Sequence, residues 1–97
     1  MIPVKRLEIV VDSRHSGRIT ELLSRHGLMG WTLLRDATGA GERGRQFDDE
    51  LSGISSNHLI LTTCPPERLD SLLEELRAVL VEAGGICLVS DAHWLRH

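Results

Sequence analysis

Residues 57–91 read NHLILTTCPPERLDSLLEELRAVLVEAGGICLVSD and contain the clearest succession of secondary structure in the chain. The run 57–64 predicts a strand, and Pro65-Pro66 opens a helix, because proline costs nothing at the first helical position. Gly84-Gly85 ends this helix, and residues 86–91 return as a strand. The apolar stripe of the helix consists of Leu69, Leu72, Leu73, Leu76, Leu80 and Ala83. The stretch therefore predicts a strand–helix–strand unit.

The first half of the chain repeats this order. Strict alternation in residues 4–12 predicts a strand with one buried side. A helix follows, which Ser13 or Ser16 can cap, and Gly27 ends it before the strand predicted at 30–37. The buried side of the strand carries Leu7, Ile9 and Val11, and one face of the helix carries Ile19, Leu22, Leu23 and a partly buried His26.

Two such units in series predict an α+β fold of the ferredoxin-like βαββαβ type, with an antiparallel sheet and both helices on one face. The 97 residues form one domain, 1–97. Apolar side chains also alternate onto the second face of the sheet, as Val10 does beside Ile9 and Leu61 beside Ile60. We therefore expect both faces to be buried, the second one by association of subunits. The tail 92–97 is expected to form a short further strand.

Composition and charge exclude several classes of protein. The net charge of −3 argues against a nucleic-acid or membrane-surface binder, and no apolar run approaches the ~20 residues that span a bilayer. Cys64 and Cys87 fall in predicted strands and form no CxxC pair, which predicts buried, reduced thiols. Charges begin too early in residues 1–12 for a signal peptide. We expect a cytoplasmic protein.

Residues 38–57 form a long polar segment that begins with GAGERG, residues 39–44. The letters match the dinucleotide fingerprint GxGxxG, but no helical apolar stripe follows, so binding of NAD is not expected. Two alternatives stay open. The glycines serve only turns, or the backbone at Gly39 and Gly41 approaches a phosphate to which Arg43 supplies positive charge. A loop of this length is uncommon in a compact domain unless it is functional or disordered.

Residues 30–46, GWTLLRDATGAGERGRQ, resemble the second strand and the root of the T-loop in the PII signal-transduction superfamily. The likeness extends along almost the whole chain, because the element order matches and a Gly-Gly precedes the last main strand. It implies a regulatory homotrimer, not an enzyme, with an adenine nucleotide in each cleft between subunits. It also implies a T-loop at 38–57 that contacts a protein target, and a B-loop equivalent at 84–86.

Carried over residue by residue, the resemblance implies a nucleotide site built from both halves of the chain. Its members are Gly30 and Thr32 at the adenine and ribose end, Thr63 contacting adenine through its backbone, Gly39, Gly41 and Arg43 at the phosphates, Gly84, Gly85 and Ile86 on the opposite phosphate wall, and Arg96 reaching a neighbour's nucleotide. Within the T-loop, Arg45, Phe47, Asp48 and Asp49 are expected to contact the partner. Phe47 could instead pin the loop to its own subunit.

The sequence departs from the superfamily pattern in two places. It has no tyrosine, so the T-loop lacks the residue that standard PII proteins modify. Ile86 stands where their B-loop carries a lysine for the outer phosphates, which favours AMP, ADP or a cyclic nucleotide over ATP. The pattern is closer to divergent PII-like proteins associated with carboxysomes and bicarbonate transport. That branch implies bicarbonate as a second ligand and a transporter or carbon-fixation component as the target.

Two other functions are weighed against this one. A metal-binding trimer of the same fold, of the CutA type or from the PII-like proteins near metal efflux pumps, would rely on histidines and cysteines. His93 and His97 are four apart, but no third ligand is near them in sequence. A small hydrolase related to acylphosphatase would need a phosphate loop after the first strand, and the arginines of residues 12–18 have the wrong spacing.

Overall fold

The computed structural model describes residues 1–38 and 56–96. Its elements are β1 (Ile2–Asp12), α1 (Ser16–Arg25), β2 (Trp31–Ala37), β3 (Asn57–Cys64), a 3₁₀ turn (Pro66–Arg68), α2 (Leu69–Ala83) and β4 (Ile86–Trp94). The strands form one sheet in the order β2-β3-β1-β4, and each neighbouring pair is antiparallel. This confirms the ferredoxin-like α+β fold.

The core lies between the helices and one face of the sheet. Leu7, Ile9 and Val11 of β1 are buried as predicted, and Ile60 of β3 lies opposite Ile9. The predicted stripe of α2 faces this core, with Leu72 and Leu76 almost fully buried. Val79 is also buried, although the predicted stripe did not include it. The remaining members of the core cluster are Ile19, Leu22, Leu23, Leu28 and Cys64.

The end of α2 is fixed by its two glycines. Gly84 adopts the left-handed conformation with φ of +75°, and its N–H donates to the carbonyl oxygen of Leu80 at 2.7 Å. A Cβ atom at Gly85 would lie 2.5 Å from the carbonyl oxygen of Val10. A glycine is therefore required at both positions, for conformation at the first and for space at the second.

The predicted capping of α1 by Ser13 or Ser16 is wrong. The N-cap position belongs to His15, and Ser16 is the first helical residue, whose Oγ donates to the carbonyl oxygen of Ser13 at 3.2 Å. The reason is a turn that Asp12 closes, because its Oδ1 accepts hydrogen bonds from the backbone N–H groups of Arg14 and His15. His15 therefore takes the N-cap position, and its carbonyl oxygen accepts the first hydrogen bonds of the helix, from the N–H groups of Arg18 and Ile19.

The predicted further strand after residue 91 is also wrong, because β4 runs without interruption to Trp94. The first strand begins at Ile2, two residues earlier than the alternation suggested, and it offers a partner for the tail. Trp94 pairs with Ile2, and Ala92 pairs with Val4. The tail therefore extends the existing β1–β4 ladder.

The helices cover only one face of the sheet, and the opposite face, which carries Arg6, Glu8 and Val10 of β1, is called the open face below. Leu34, Ile86 and Leu88 lie on it and are 53%, 56% and 60% exposed. No element of the described ranges packs over these side chains. Burial of the second face therefore stays a prediction about association of subunits.

Both cysteines are free thiols in strands, as expected. Cys64 is buried at the end of β3, whereas Cys87 is only half-buried in β4. Burial, together with the nearby Cys64, raises the pKa of Cys87 to about 11. Burial also raises the pKa of Cys64, so both groups remain in the thiol form near neutral pH. Neither described helix is long and apolar enough to cross a membrane.

Candidate functional site

Three of the predicted nucleotide-binding residues lie together at the β2 edge of the sheet. Thr32 pairs with Leu61, and Trp31 pairs with Thr62, so the ladder brings Gly30 close to Thr63. Thr32 and Thr63 both occupy positions on the open face, because their partners in the ladder are residues of that face. The adenine and ribose end of the predicted site is therefore one continuous surface.

Thr62 connects the two strands of this surface, although it was not among the predicted site residues. Its side chain is buried, and its Oγ1 donates a hydrogen bond to the carbonyl oxygen of Gly30 at 2.7 Å. The bond ties the residue just before β2 to the middle of β3. A signal was present in the sequence, since Thr62 is a polar residue between Ile60 and Cys64 on the buried side of a strand.

The other wall of the predicted site lies at the opposite edge of the sheet. Ile86 begins β4 and pairs with Val10, whereas Thr63 pairs with Arg6. The path from Gly30 to Ile86 crosses three strand spacings of ~4.8 Å each. It also runs along the strands for about four residues of ~3.3 Å each. The separation is thus on the order of 20 Å, and one chain does not bring the two walls together.

Arg96 lies at neither wall. It follows β4, whose last residue, Trp94, pairs with Ile2 at the far end of the sheet from Ile86. The predicted contact of Arg96 with a nucleotide therefore requires another copy of the chain.

Seven predicted residues lie outside the described ranges: Gly39, Gly41, Arg43, Arg45, Phe47, Asp48 and Asp49. The structure does describe the residues that flank this segment on both sides, called its β2 and β3 roots below. Ala37 pairs with Asn57, so the two ends of the segment lie side by side at the end of the sheet. The pairing register shifts between Leu34 and Ala37, where Asp36 adopts a left-handed conformation with φ of +61°. Aspartate is one of the few residue types that tolerate this region.

The β3 root is joined to the start of α1 by hydrogen bonds. The backbone N–H of Ser13 donates to the carbonyl oxygen of Ser56 at 2.6 Å, and Nδ1 of His58 lies 2.8 Å from Oγ of Ser16. His58 is thus a half-buried residue with a partner in its own chain. Asp12 belongs to the same group of residues, called the cluster below, because Oδ1 of Asp12 lies 2.8 Å from Nδ1 of His15.

Asp12 is the residue of this cluster whose ionisation is perturbed. Burial raises its pKa, but the hydrogen bond from His15 and the positive charges of His15 and Arg14 outweigh burial and hold the pKa below its ordinary value. The carboxylate therefore stays ionised near neutral pH and keeps both backbone hydrogen bonds of the turn.

The family model for nitrogen regulatory protein P-II matches residues 4–97. The chain belongs to the P-II family. This confirms the resemblance that residues 30–46 carry. Among curated proteins, none matches the sequence.

Solved structures agree with this P-II membership. One is CPII from Thiomonas intermedia K12, a nitrogen regulatory PII-like protein bound to ADP, AMP and bicarbonate. It superposes with a TM-score of 0.82 and 27% identity, covering 98% of this chain and 96% of that one. The apo form of CPII superposes with a TM-score of 0.81 and 26% identity, covering 98% of this chain and 95% of that one. The fold is also shared by a PII-like signalling protein from Thermus thermophilus. It superposes with a TM-score of 0.74 and 23% identity, covering 97% of this chain and 90% of that one.

The positions of the histidines bear on the alternative of a metal-binding trimer. His26 is partly buried, as expected, and its Nε2 lies 3.1 Å from Oε1 of Glu75 on α2. His93 lies in β4, so the helical arrangement with His97 does not apply. Over residues 1–38 and 56–96, no three histidine, cysteine, aspartate or glutamate side chains are close enough together to hold a metal ion.

Proposed function

We propose that this P-II family chain is a PII-like regulator, not an enzyme, that binds ADP or AMP between the subunits of a homotrimer. The observation that carries the proposal is its likeness to CPII, a protein bound to ADP, AMP and bicarbonate, at 27% identity over 98% of this chain. A fold shared at this coverage places equivalent strand ends in equivalent positions, so a similar ligand has a similar surface available.

The geometry of the two walls supports a site between subunits. Gly30, Thr32 and Thr63 form one surface at the β2 edge, whereas Gly84–Ile86 lie at the β4 edge, on the order of 20 Å away in the same chain. A nucleotide that uses both groups must take them from two copies. The second copy would also cover the exposed apolar side chains of the open face.

The preference for ADP or AMP follows from the chemistry of the β4 wall. Ile86 supplies an exposed apolar side chain at the first position of β4 and no positive charge for a third phosphate. The wall 84–86 contains no cation, and the space beside Gly85 is taken by the carbonyl oxygen of Val10. Arg43, with Gly39 and Gly41, would supply the phosphate contacts from the other subunit.

Signalling would pass through the T-loop, residues 38–57. Ligand phosphates would bias this loop between states that differ in affinity for a target, and Arg45, Phe47, Asp48 and Asp49 would contact that target. By analogy with CPII, bicarbonate would be a second ligand, which links the protein to inorganic carbon and to a transporter or carbon-fixation component, as at carboxysomes. The free thiols Cys64 and Cys87 suit a reducing compartment, the cytoplasm.

Calorimetric titration of the purified chain with ADP, AMP and ATP, each with and without bicarbonate, tests this proposal. We expect ADP or AMP to bind more tightly than ATP, and Arg43→Ala to weaken binding. Arg77→Ala is the matched control, since Arg77 is an exposed arginine of α2, which lies on the opposite side of the sheet from the open face. Absence of binding by any adenine nucleotide at millimolar concentration would exclude the function.

A further inference from the structure

A cleft of ≈ 270 Å³ lies over the β1–β4 ladder. Lys5 pairs with Asp91 and Pro3 pairs with His93 in this ladder, so their side chains project from the core side of the sheet, as the other odd-numbered residues of β1 do. Pro66, the first residue of the 3₁₀ turn, also lines the cleft. The cleft is therefore on the opposite side of the sheet from the open face and from the surface predicted to bind the nucleotide.

Three ionisable side chains meet in this cleft. Nζ of Lys5 donates to Oδ1 of Asp91 at 2.5 Å. This hydrogen bond, the charge of Lys5 and, less strongly, the charge of His93 hold the pKa of Asp91 below its ordinary value. His93 is therefore close to the carboxylate, which is ionised near neutral pH. The cleft thus presents an ammonium and a carboxylate side by side, with an imidazole next to them.

The rest of the lining is apolar and consists of Pro3, Val4, Pro66 and Ala92. Sites for small molecules combine such apolar walls with a few polar groups that converge on one place. The volume of the cleft is slightly below the range of ~300–1,000 Å³ that is usual for drug-sized ligands. The cleft therefore suits a ligand smaller than a nucleotide.

The ion pair in the cleft can exchange its partners at low cost. The side chains of Lys5 and Asp91 are 30% and 83% exposed, and an ion pair in contact with water contributes little to stability. A ligand that carries both a carboxylate and an ammonium leaves each of the two side chains with an opposite charge. A ligand with only one charge brings two like charges together, because Lys5 and Asp91 stay side by side in the ladder.

We propose that this cleft binds a small zwitterion, an α-amino acid with an apolar side chain. The carboxylate of the ligand contacts Lys5 and His93, and its ammonium contacts Asp91, through charge-assisted hydrogen bonds. Its side chain packs against the rings of Pro3 and Pro66. The proposal goes beyond nucleotide binding and uses none of the residues of the nucleotide surface.

An NMR titration of the purified chain with L-valine tests the proposal. We expect saturable shifts of the backbone amide signals of Lys5, Asp91 and His93, with a dissociation constant on the order of millimolar. Isovalerate lacks the ammonium of valine, and isobutylamine lacks its carboxylate. Each of these two compounds is expected to bind at least ~10-fold more weakly than L-valine, because each loses the hydrogen bonds of one charged group.

Substitutions test the two charged side chains separately. Lys5→Met and Asp91→Asn should each weaken binding of L-valine at least ~10-fold, with circular dichroism to confirm folding. The matched controls are Arg18→Met and Glu82→Gln. Each removes one partner of an exposed ion pair outside the cleft, in which Nη1 of Arg18 lies 2.9 Å from Oε2 of Glu82. Both controls should bind L-valine as the wild type does.

Three results would overturn the zwitterion site. They are the absence of shifts at tens of millimolar L-valine, binding of isovalerate or isobutylamine as tight as that of L-valine, and unchanged binding in the folded Lys5→Met and Asp91→Asn variants. None of these results bears on the proposed function, because ADP is titrated against a different surface. Conversely, failure of every adenine nucleotide to bind would leave the zwitterion site intact.

Discussion

The carbonyl oxygen of Val10 and the α-carbon hydrogens of Gly85 meet so closely that a Cβ atom at residue 85 would lie 2.5 Å from that oxygen. The contact places the junction between α2 and β4 directly against β1, an inner strand of the sheet. Because the obstructing atom belongs to the backbone of an inner strand, it cannot move aside as the end of a side chain could. The position of the 84–86 wall is thus set by β1.

Gly85→Ala should therefore destabilise the fold by about 1–3 kcal/mol, the usual range for overpacking. Urea denaturation monitored by circular dichroism measures this change. Gly17→Ala provides the control, because a Cβ atom there meets nothing within 4 Å and Gly17 is an exposed residue of α1. Helix propensity predicts that this substitution stabilises by up to ~1 kcal/mol. Equal effects of the two substitutions would contradict the close contact.

Thr62→Val should weaken both the fold and nucleotide binding. The substitution keeps the shape of the side chain but removes the Oγ1 hydrogen bond to the carbonyl oxygen of Gly30. We expect a loss of about 1 kcal/mol of unfolding free energy and a several-fold weaker affinity for ADP. Thr62→Ser retains the hydroxyl group and should preserve most of the affinity. If the Thr62→Val and Thr62→Ser variants bind ADP with equal affinity, the hydrogen bond does not position the site.

The contribution of Asp12 to stability should depend on pH in a definite direction. Its pKa in the folded chain is lowered from the ordinary value of 3.8, so its stabilisation is complete above that value and is lost as the pH falls through the lowered pKa. Asp12→Asn should therefore cost stability at pH 5 to 7 and progressively less below about pH 4. Urea denaturation of both proteins at a series of pH values measures the difference. A difference that grows on acidification would contradict the sign.

Ile86→Lys should shift the nucleotide preference toward ATP. The substitution adds, at the start of β4, the positive charge that standard PII proteins have in their B-loop, and we expect affinity for ATP to rise by about 10-fold relative to ADP. Competitive titration with the two nucleotides gives the ratio. Val81→Lys controls for the added charge, since Val81 is also an exposed apolar residue but lies on α2. The same shift in both variants would show an effect of net charge only.

The sequence predicts elements where the signal is local, and it fails where the signal depends on pairing. The apolar period and the two glycines were sufficient for α2, and alternation was sufficient for the buried side of β1. The cap of α1 was missed because the carboxylate of Asp12, before the helix, accepts from the backbone N–H groups of Arg14 and His15, and the turn that it closes leaves His15 at the N-cap. The end of β4 was missed because Trp94 is a strand residue only through its partner Ile2.

The candidate site shows the same limit. Gly30 and Thr32 follow from the resemblance of the segment 30–46, and Thr63 follows from the likeness along the rest of the chain. The ladder places Gly30 and Thr63 near each other. No local pattern reveals that β4 lies at the other edge, which is why the distance between the two walls appears only in the structure. Thr62 was overlooked because a hydroxyl on the buried side of a strand has no fixed partner until β2 is in place.

The pairing of Ala37 with Asn57 bears on how this protein can diverge. Since the sheet itself holds the two residues together, any chain that joins them has both of its ends already in place. Doubling the length of a flexible loop costs only about 0.6 kcal/mol of closure entropy. We therefore expect the rest of the chain to keep its fold when residues between these positions are substituted, or when a foreign peptide is grafted there.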